Sequence, residues 1–213
     1  MSDSCHQHSL VNHTSARYRL ILWIALVLNA VMFFIEFFGG KSAESNALLA
    51  DSIDFFGDAA NYGLSLFVLS GSLLVRSRTA WFKGLCMAIF GIFVIGRALW
   101  SIQNGQTPEP FTMGWIGLLA LVVNVAVAAM LYAYRTGDAN MRSVWLCSRN
   151  DAVGNIAVMF AGLAVWYFTS KWPDLIVAIG MGVLALSSAW QVLRHARTEM
   201  SGQSAHDHHG HHH

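Results

Sequence analysis

The sequence has 213 residues, of which 55% are hydrophobic and only 12% are charged. A soluble domain usually has about 25% charged residues, so this chain has roughly half the usual share. The formal net charge is only +1, which excludes the strongly basic surface that nucleic-acid-binding proteins use. The composition therefore predicts a membrane protein without a nucleic-acid partner.

Apolar stretches recur along the chain, and a membrane-spanning helix needs about 20 mostly apolar residues. Six segments meet this requirement, and in chain order they are 18–39, 47–69, 80–102, 113–134, 144–169 and 174–193. The alternating pattern of membrane β-strands is absent. We therefore predict an all-α membrane protein in which six transmembrane helices form a bundle. Small residues such as Gly91 in the third span and Gly182 in the sixth predict that each of these spans makes close contact with some other helix.

The positions of the lysines and arginines predict the orientation, because cytoplasmic loops carry an excess of them. Nine of the 13 flank the spans on the side that holds both termini: Arg17, Arg19, Arg76, Arg78, Lys83, Arg135, Arg142, Arg194 and Arg197. Only Lys41 and Lys171 flank the opposite side. Both termini are therefore predicted to be cytoplasmic. Residues 1–17 form an N-terminal tail, 18–195 the transmembrane domain and 196–213 a His-rich tail.

Three aspartates share one face of the second predicted span. At about 100° per residue, Asp51, Asp54 and Asp58 fall within an arc of roughly 60°. A carboxylate inside the bilayer costs several kcal/mol, so such a stripe indicates function. Asp54 and Asp58 lie one turn apart and repel each other, and a proton or a divalent cation would remove that repulsion. The opposite face, with Phe55 and Phe56, is predicted to face lipid.

The fifth span repeats this spacing, because Cys147 and Asp151 also lie one turn apart. Together with Asp54 and Asp58 they would supply four ligands from two helices. A tetrahedral site of carboxylates and a thiolate suits Zn²⁺, and also Cd²⁺ or Co²⁺. Mg²⁺ and Ca²⁺ prefer more oxygen ligands. The sequence therefore predicts a transition-metal site between the second and fifth spans.

At these residues the chain resembles the cation diffusion facilitator, or cation efflux, family. The resemblance covers about residues 20–195 and is most specific in the segments 29–40 and 45–58. The family places His or Asp at the position of Asp54 and Asp at that of Asp58. It also places His or Asp four residues before an aspartate in the fifth span, and Asp151 matches that aspartate.

The resemblance implies a proton-coupled antiporter that exports Zn-like divalent metals from the cytoplasm by alternating access, usually as a homodimer. The chain would then be a multi-pass protein of the lipid bilayer, such as a bacterial inner membrane, and not an enzyme. The metal and protons would be substrates, with no prosthetic group. An uncoupled channel or a metal sensor remains an alternative. A membrane metalloenzyme is disfavoured because no His-Glu-x-x-His pattern occurs.

The chain departs from the family pattern in two ways. Cys147 stands where the family usually has His, which favours softer metals and leaves open that Asn150, Asn155 or Asp51 completes the site instead. In addition, only about twenty residues follow the sixth span, where the family usually has a cytoplasmic domain. A dimer is therefore expected to form through the transmembrane helices.

Two further groups of residues are candidates for supporting roles. Glu36 in the first span, together with Asp51 and Asn155, is predicted to support the metal site or to carry protons. The C-terminal tract is rich in histidine, a composition that binds Zn²⁺, Ni²⁺ or Co²⁺. It is either a metal-capturing tail or a purification remnant, and its histidines are His206, His208, His209, His211, His212 and His213.

Overall fold

A computed structural model describes residues 3–68, 73–134 and 139–207; the side chains near some helix ends within these ranges, including that of Cys147, lie outside the description. The described chain forms six α-helices and no strand, which confirms the all-α prediction. They are α1 (Asp3–Ser42), α2 (Asn46–Val68), α3 (Leu73–Asn104), α4 (Pro110–Leu131), α5 (Ala139–Phe168) and α6 (Trp172–Asp207). A short 3-10 turn, Tyr132–Tyr134, follows α4.

Five of these helices, all except α2, are long and apolar enough to cross a membrane. This supports an integral membrane protein. Helix α2 has 23 residues, and the charge of its three aspartates keeps it out of this set. The sixth span and the orientation of the termini remain predictions.

Helix α2 occupies the centre of the bundle and contacts all five other helices. Among the described side chains, none of its large apolar residues is exposed, whereas each of the other five helices exposes several. Phe55 is only 1% exposed and packs against Met32 and Ala120, and Phe56 contacts rings from α1 and α3. The prediction that Phe55 faces lipid is therefore wrong, because a helix enclosed by its neighbours has no lipid-facing side there.

The three connections α1–α2, α3–α4 and α5–α6 meet at one end of the bundle, here named the connecting end. The backbone N–H of Glu109 donates to the carbonyl oxygen of Ala43 at 2.9 Å. The Lys171 ammonium donates to the carbonyl oxygens of Ser101 and Gly105 at 2.8 and 3.0 Å. The helices therefore alternate in direction, and α1 begins and α6 ends at the opposite end, here named the terminal end.

A carboxyl group from α6 holds the start of α2 in place. Ser45 caps this helix, because its Oγ accepts the backbone N–H of Leu48 at 3.1 Å. The Asp174 carboxyl group accepts the Ser45 hydroxyl at 2.6 Å and the backbone N–H groups of Asn46 and Ala47 at 2.9 and 3.0 Å. These bonds satisfy donors that a helix start leaves unpaired. They also fix the depth at which α2 places its aspartates.

Helices α3 and α6 approach each other closely at glycines, and both glycines are among the small residues for which the sequence predicts close helix contacts. A Cβ atom added to Gly182 would lie 2.8 Å from Cγ1 of Ile95. A Cβ atom added to Gly91 would lie 2.9 Å from Cδ2 of Leu186. The absence of side chains therefore allows the two helices to pack tightly.

Candidate metal site

A cavity of about 490 Å³ lies between α2, α3, α5 and α6. On α2 it reaches Asp54 and Asp58, and on α6 it extends to His195, near the terminal end. Its lining consists of Asp54, Gly57, Asp58, Asn61, Leu64, Lys83, Met87, Asp151, Ser188, Gln191, Val192, His195 and Ala196. A partly open space therefore connects the aspartates of α2 and α5 with the terminal end of the bundle.

Three of the four predicted metal ligands line this cavity together. Asp54 and Asp58 enter from α2, and Asp151 enters from α5. Asp58 is only 4% exposed, and its carboxyl group interacts with that of Asp151 across the interface between the two helices. A carboxyl group buried as deeply as that of Asp58 requires a proton or a cation beside it, because an uncompensated charge inside a membrane costs several kcal/mol.

The fourth predicted ligand, Cys147, lies in α5 one helical turn before Asp151, and its side chain is outside the described part of the structure. Among the described side chains, no group of three or more His, Cys, Asp or Glu residues is arranged to hold a metal ion. The complete set of Asp54, Asp58, Cys147 and Asp151 therefore remains a prediction.

Asp58 has a hydrogen-bonding partner that sequence reasoning missed. The Tyr62 hydroxyl donates to Oδ2 of Asp58 at 2.9 Å. The same hydroxyl lies 2.5 Å from Oγ of Ser148 on α5, so Ser148 donates to Tyr62 when Tyr62 donates to Asp58. This chain of hydroxyl groups orients the carboxyl group. Its only signal in the sequence was the spacing of Tyr62, one turn after Asp58.

Lys83 was also missed, because the sequence placed it among the positive charges that flank the spans. Its side chain is only 8% exposed and lines the cavity. Its ammonium group donates to Oδ1 of Asn61 and acts electrostatically on Asp58. The cavity thus contains a positive charge of the protein's own.

Glu36, Asp51 and Asn155 are the predicted supporting residues, and none of them is part of the described cavity lining. Each is at most 1% exposed, and none of their side-chain oxygen or nitrogen atoms has a hydrogen bond of normal geometry. The Glu36 and Asp51 carboxyl groups interact with each other. Asp51 also faces α5, since a Cβ atom added to Gly154 would lie 3.8 Å from its Oδ1.

The predicted metal-capturing tail falls almost entirely outside the described residues. His206 lies in the last turn of α6, and its side chain is not described. The remaining histidines of the tail are outside the described residues: His208, His209, His211, His212 and His213.

The apolar helices support an integral membrane protein, and carboxyl groups of two helices line a cavity in its interior. The family model described as the cation efflux transmembrane domain matches residues 22–201. The chain therefore belongs to the cation efflux family, whose members are also called cation diffusion facilitators.

Curated relatives of this chain are named as metal transporters. A cadmium, cobalt and zinc/H(+)-K(+) antiporter of Bacillus subtilis is 24% identical over 199 residues, which cover 86% of this chain and 63% of the relative. The metal cation efflux system protein CzcD of Cupriavidus metallidurans is 21% identical over 201 residues, which cover 89% of this chain and 62% of the relative. The zinc transporter ZitB of Escherichia coli is 24% identical over 217 residues, which cover 92% of this chain and 67% of the relative. The chain thus spans somewhat less than two thirds of the first two relatives.

Proposed function

We propose that this chain exports a divalent transition-metal cation, with Zn²⁺ as the best-fitting substrate, in exchange for protons. The observation that carries the proposal is the convergence of Asp54, Asp58 and Asp151 in one cavity of a cation efflux domain. The relatives named for zinc, cadmium and cobalt support the choice of substrate. The bacterial relatives also support placement in a bacterial inner membrane.

In this proposal Asp54, Asp58, Cys147 and Asp151 bind the metal. Three carboxylates and one thiolate can form a tetrahedral site, and Zn²⁺, Cd²⁺ and Co²⁺ bind to ligands of these types. The Tyr62 hydroxyl orients one of the carboxylates. Outer-shell hydrogen bonds of this kind hold metal ligands in their binding geometry.

Protons and metal compete for the same atoms, because a ligand must lose its proton before it binds metal. With six membrane spans and the terminal end in the cytoplasm, the cavity takes metal from the cytoplasmic side. An outward-open state then receives protons, which release the metal. Glu36, Asp51 and Asn155 support this exchange as proton-linked positions next to the metal ligands. No prosthetic group is required.

The chain assembles, in this proposal, as a homodimer through its transmembrane helices. The His-rich tail follows α6, the helix that carries His195 at the terminal end of the cavity. The tail can therefore raise the local concentration of metal near the cavity. Its role is auxiliary, so a chain shortened after residue 205 should keep transport at high metal concentration and lose efficiency only at low concentration.

The test is metal flux in proteoliposomes that contain the purified chain and a metal-sensitive dye. An imposed pH gradient should accelerate the entry of Zn²⁺, Cd²⁺ or Co²⁺ into the vesicles. Asp58→Asn and Asp151→Asn should abolish this flux. Glu44→Gln is the matched control, because Glu44 is an exposed acid that pairs with Arg97 at 2.8 Å at the connecting end.

Each other outcome contradicts a defined part of the proposal. Flux that ignores the pH gradient indicates an uncoupled channel, and binding without flux indicates a sensor. A potassium gradient belongs in the same assay, because one relative's name includes potassium. If Cys147→Ser and Cys147→His leave the preference between Zn²⁺ and Cd²⁺ unchanged, Cys147 is not a ligand. If the wild-type chain neither binds nor moves these metals, the proposed function is wrong.

A further inference from the structure

Lys83 places a long side chain inside the cavity rather than at the membrane surface. It lies on α3 near the terminal end, where a lysine would ordinarily extend toward water. Instead its side chain is 8% exposed and lines the same space as Asp54, Asp58 and Asp151. Burial of an ammonium group is costly unless the protein provides partners for it.

Helix α2 provides two groups that act on this ammonium group, a carboxamide and a carboxyl group. The Lys83 ammonium donates to Oδ1 of Asn61, which lies three residues after Asp58 on the same helix. It is also close enough to Asp58 to act on that carboxyl group electrostatically. The described lining of the cavity contains no other lysine and no arginine. Asn61 therefore holds a single fixed positive charge beside the predicted metal ligands.

The charges of the cavity suggest what this lysine does. Three carboxylates and, in the proposed ligand set, the Cys147 thiolate carry four negative charges, of which a dication neutralises two and the Lys83 ammonium group one more. Without the ammonium group, the same carboxylates would attract a dication more strongly and would leave one further charge for a monovalent cation to neutralise. A full cellular concentration of potassium would then compete for the cavity.

We propose that Lys83 is the built-in countercharge of the metal cavity, which moderates its affinity for a divalent metal and makes it selective for dications over monovalent cations. Asn61 anchors the ammonium group away from the position that the metal takes. This inference rests on the proposed metal transport, and it assigns to the cavity a residue that does not itself bind the metal.

The experiment measures Zn²⁺ binding to the purified full chain by isothermal titration calorimetry at low and high KCl. Lys83→Met keeps the length of the side chain and removes its charge. It should bind Zn²⁺ at least about tenfold more tightly at low KCl, as expected when one like charge near a dication is removed. Its affinity should then fall steeply as KCl is added. Lys83→Arg should behave as the wild type does.

Lys171→Met is the matched control, because Lys171 is a partly buried lysine whose ammonium group binds backbone carbonyls at the connecting end. It should leave both the Zn²⁺ affinity and the KCl dependence unchanged. If wild type binds Zn²⁺ and Lys83→Met matches it at both KCl concentrations, the inference is wrong and the proposed function survives. If the wild-type chain does not bind Zn²⁺, the proposed function fails instead.

A double-mutant cycle tests the anchor separately from the change in affinity that Lys83→Met causes by itself. Asn61→Ala removes the acceptor, so that the ammonium group can turn toward Asp58 and compete with the metal. Zn²⁺ binding should therefore weaken in the presence of Lys83 and stay unchanged in the Lys83→Met background. An equal loss of Zn²⁺ affinity in both backgrounds would mean that Asn61 acts on the metal directly, and this would overturn its assignment as the anchor of Lys83.

Discussion

The hydroxyl group of Tyr62 lies 2.9 Å from Oδ2 of Asp58, and Tyr62 is completely buried. Ser148 on α5 lies 2.5 Å from the same hydroxyl. The carboxyl group of Asp58 is thus held by a residue of its own helix, which is in turn held by the neighbouring helix. A movement of α5 relative to α2 would disturb this chain, so Tyr62 couples helix packing to the orientation of a predicted metal ligand.

Replacing Tyr62 by phenylalanine should weaken metal binding and transport while preserving the packing of the ring. Loss of a hydrogen bond that orients a metal ligand typically costs 10–100-fold in affinity or activity, and we expect about this loss. The measurement is Zn²⁺ affinity together with flux in proteoliposomes. Tyr167→Phe is the control, because Tyr167 is 74% exposed on α5. Equal behaviour of the two variants would show that the Tyr62 hydroxyl does not position Asp58.

The acidic face of α2 could be predicted from the sequence because it depends only on helical geometry. Asp54 and Asp58 are one turn apart in any α-helix, so their shared direction follows from the spacing alone. The environment of the opposite face did not follow in the same way. Phe55 is enclosed by α1 and α4, because α2 is central in the bundle, and periodicity does not reveal how many neighbours a helix has.

The contacts that Tyr62 and Lys83 make with neighbouring helices could not be predicted from the sequence, for a related reason. The contact between Tyr62 and Ser148 depends on the relative height of α2 and α5, which a single sequence does not specify. The direction of the Lys83 side chain, into the cavity, depends on the space between α3 and α6. A lysine at the end of a span ordinarily extends toward water, whereas the side chain of Lys83 is buried and lines the cavity.

Glu36 offers a test of whether protons are carried outside the metal site. Glu36→Gln retains the shape of a protonated acid and can donate a hydrogen bond to Asp51. Because Glu36 does not line the cavity in the described structure, the variant should still bind Zn²⁺. Its flux should depend much less on the pH gradient than wild-type flux does. Initial rates measured over a series of external pH values check this expectation.

Two results would contradict this role for Glu36. A pH dependence identical to that of wild type would show that Glu36 carries no coupling proton. Complete loss of Zn²⁺ binding would instead make it part of the metal site or essential to folding. Glu36→Asp distinguishes these cases, since it restores a titratable group and should recover part of the pH dependence.

Glu109 gives a prediction about stability at different pH values. It caps α4 by accepting the backbone N–H groups of Phe111 and Thr112 at 3.0 and 2.5 Å. Hydrogen bonding from Thr112, joined by that from Phe111, lowers the pKa of Glu109 below its usual value. A carboxylate with a lowered pKa stabilises the folded state above its unfolded pKa, near 4.3, and loses this effect as the pH falls through the folded pKa.

Glu109→Gln should therefore unfold more easily than wild type at neutral pH and equally easily in strong acid. Because Glu109 is largely exposed, solvent screening should keep the difference in unfolding free energy below about 1 kcal/mol. Thermal unfolding in detergent across a pH series measures this difference. A difference that stays constant as the pH falls below the folded pKa would mean that the charge of Glu109 contributes nothing to the cap.

Two glycines of α6, only two residues apart, should respond in opposite ways to the same substitution. A Cβ atom at Gly182 would lie 2.8 Å from Ile95, whereas a Cβ atom at Gly180 would meet nothing within 4 Å. Gly182→Ala should therefore force α3 and α6 apart and cost about 1–3 kcal/mol. Gly180→Ala should be neutral or stabilise the helix by up to about 1 kcal/mol. Unfolding of both variants in the same detergent tests this, and equal stabilities would contradict the close approach of the two helices.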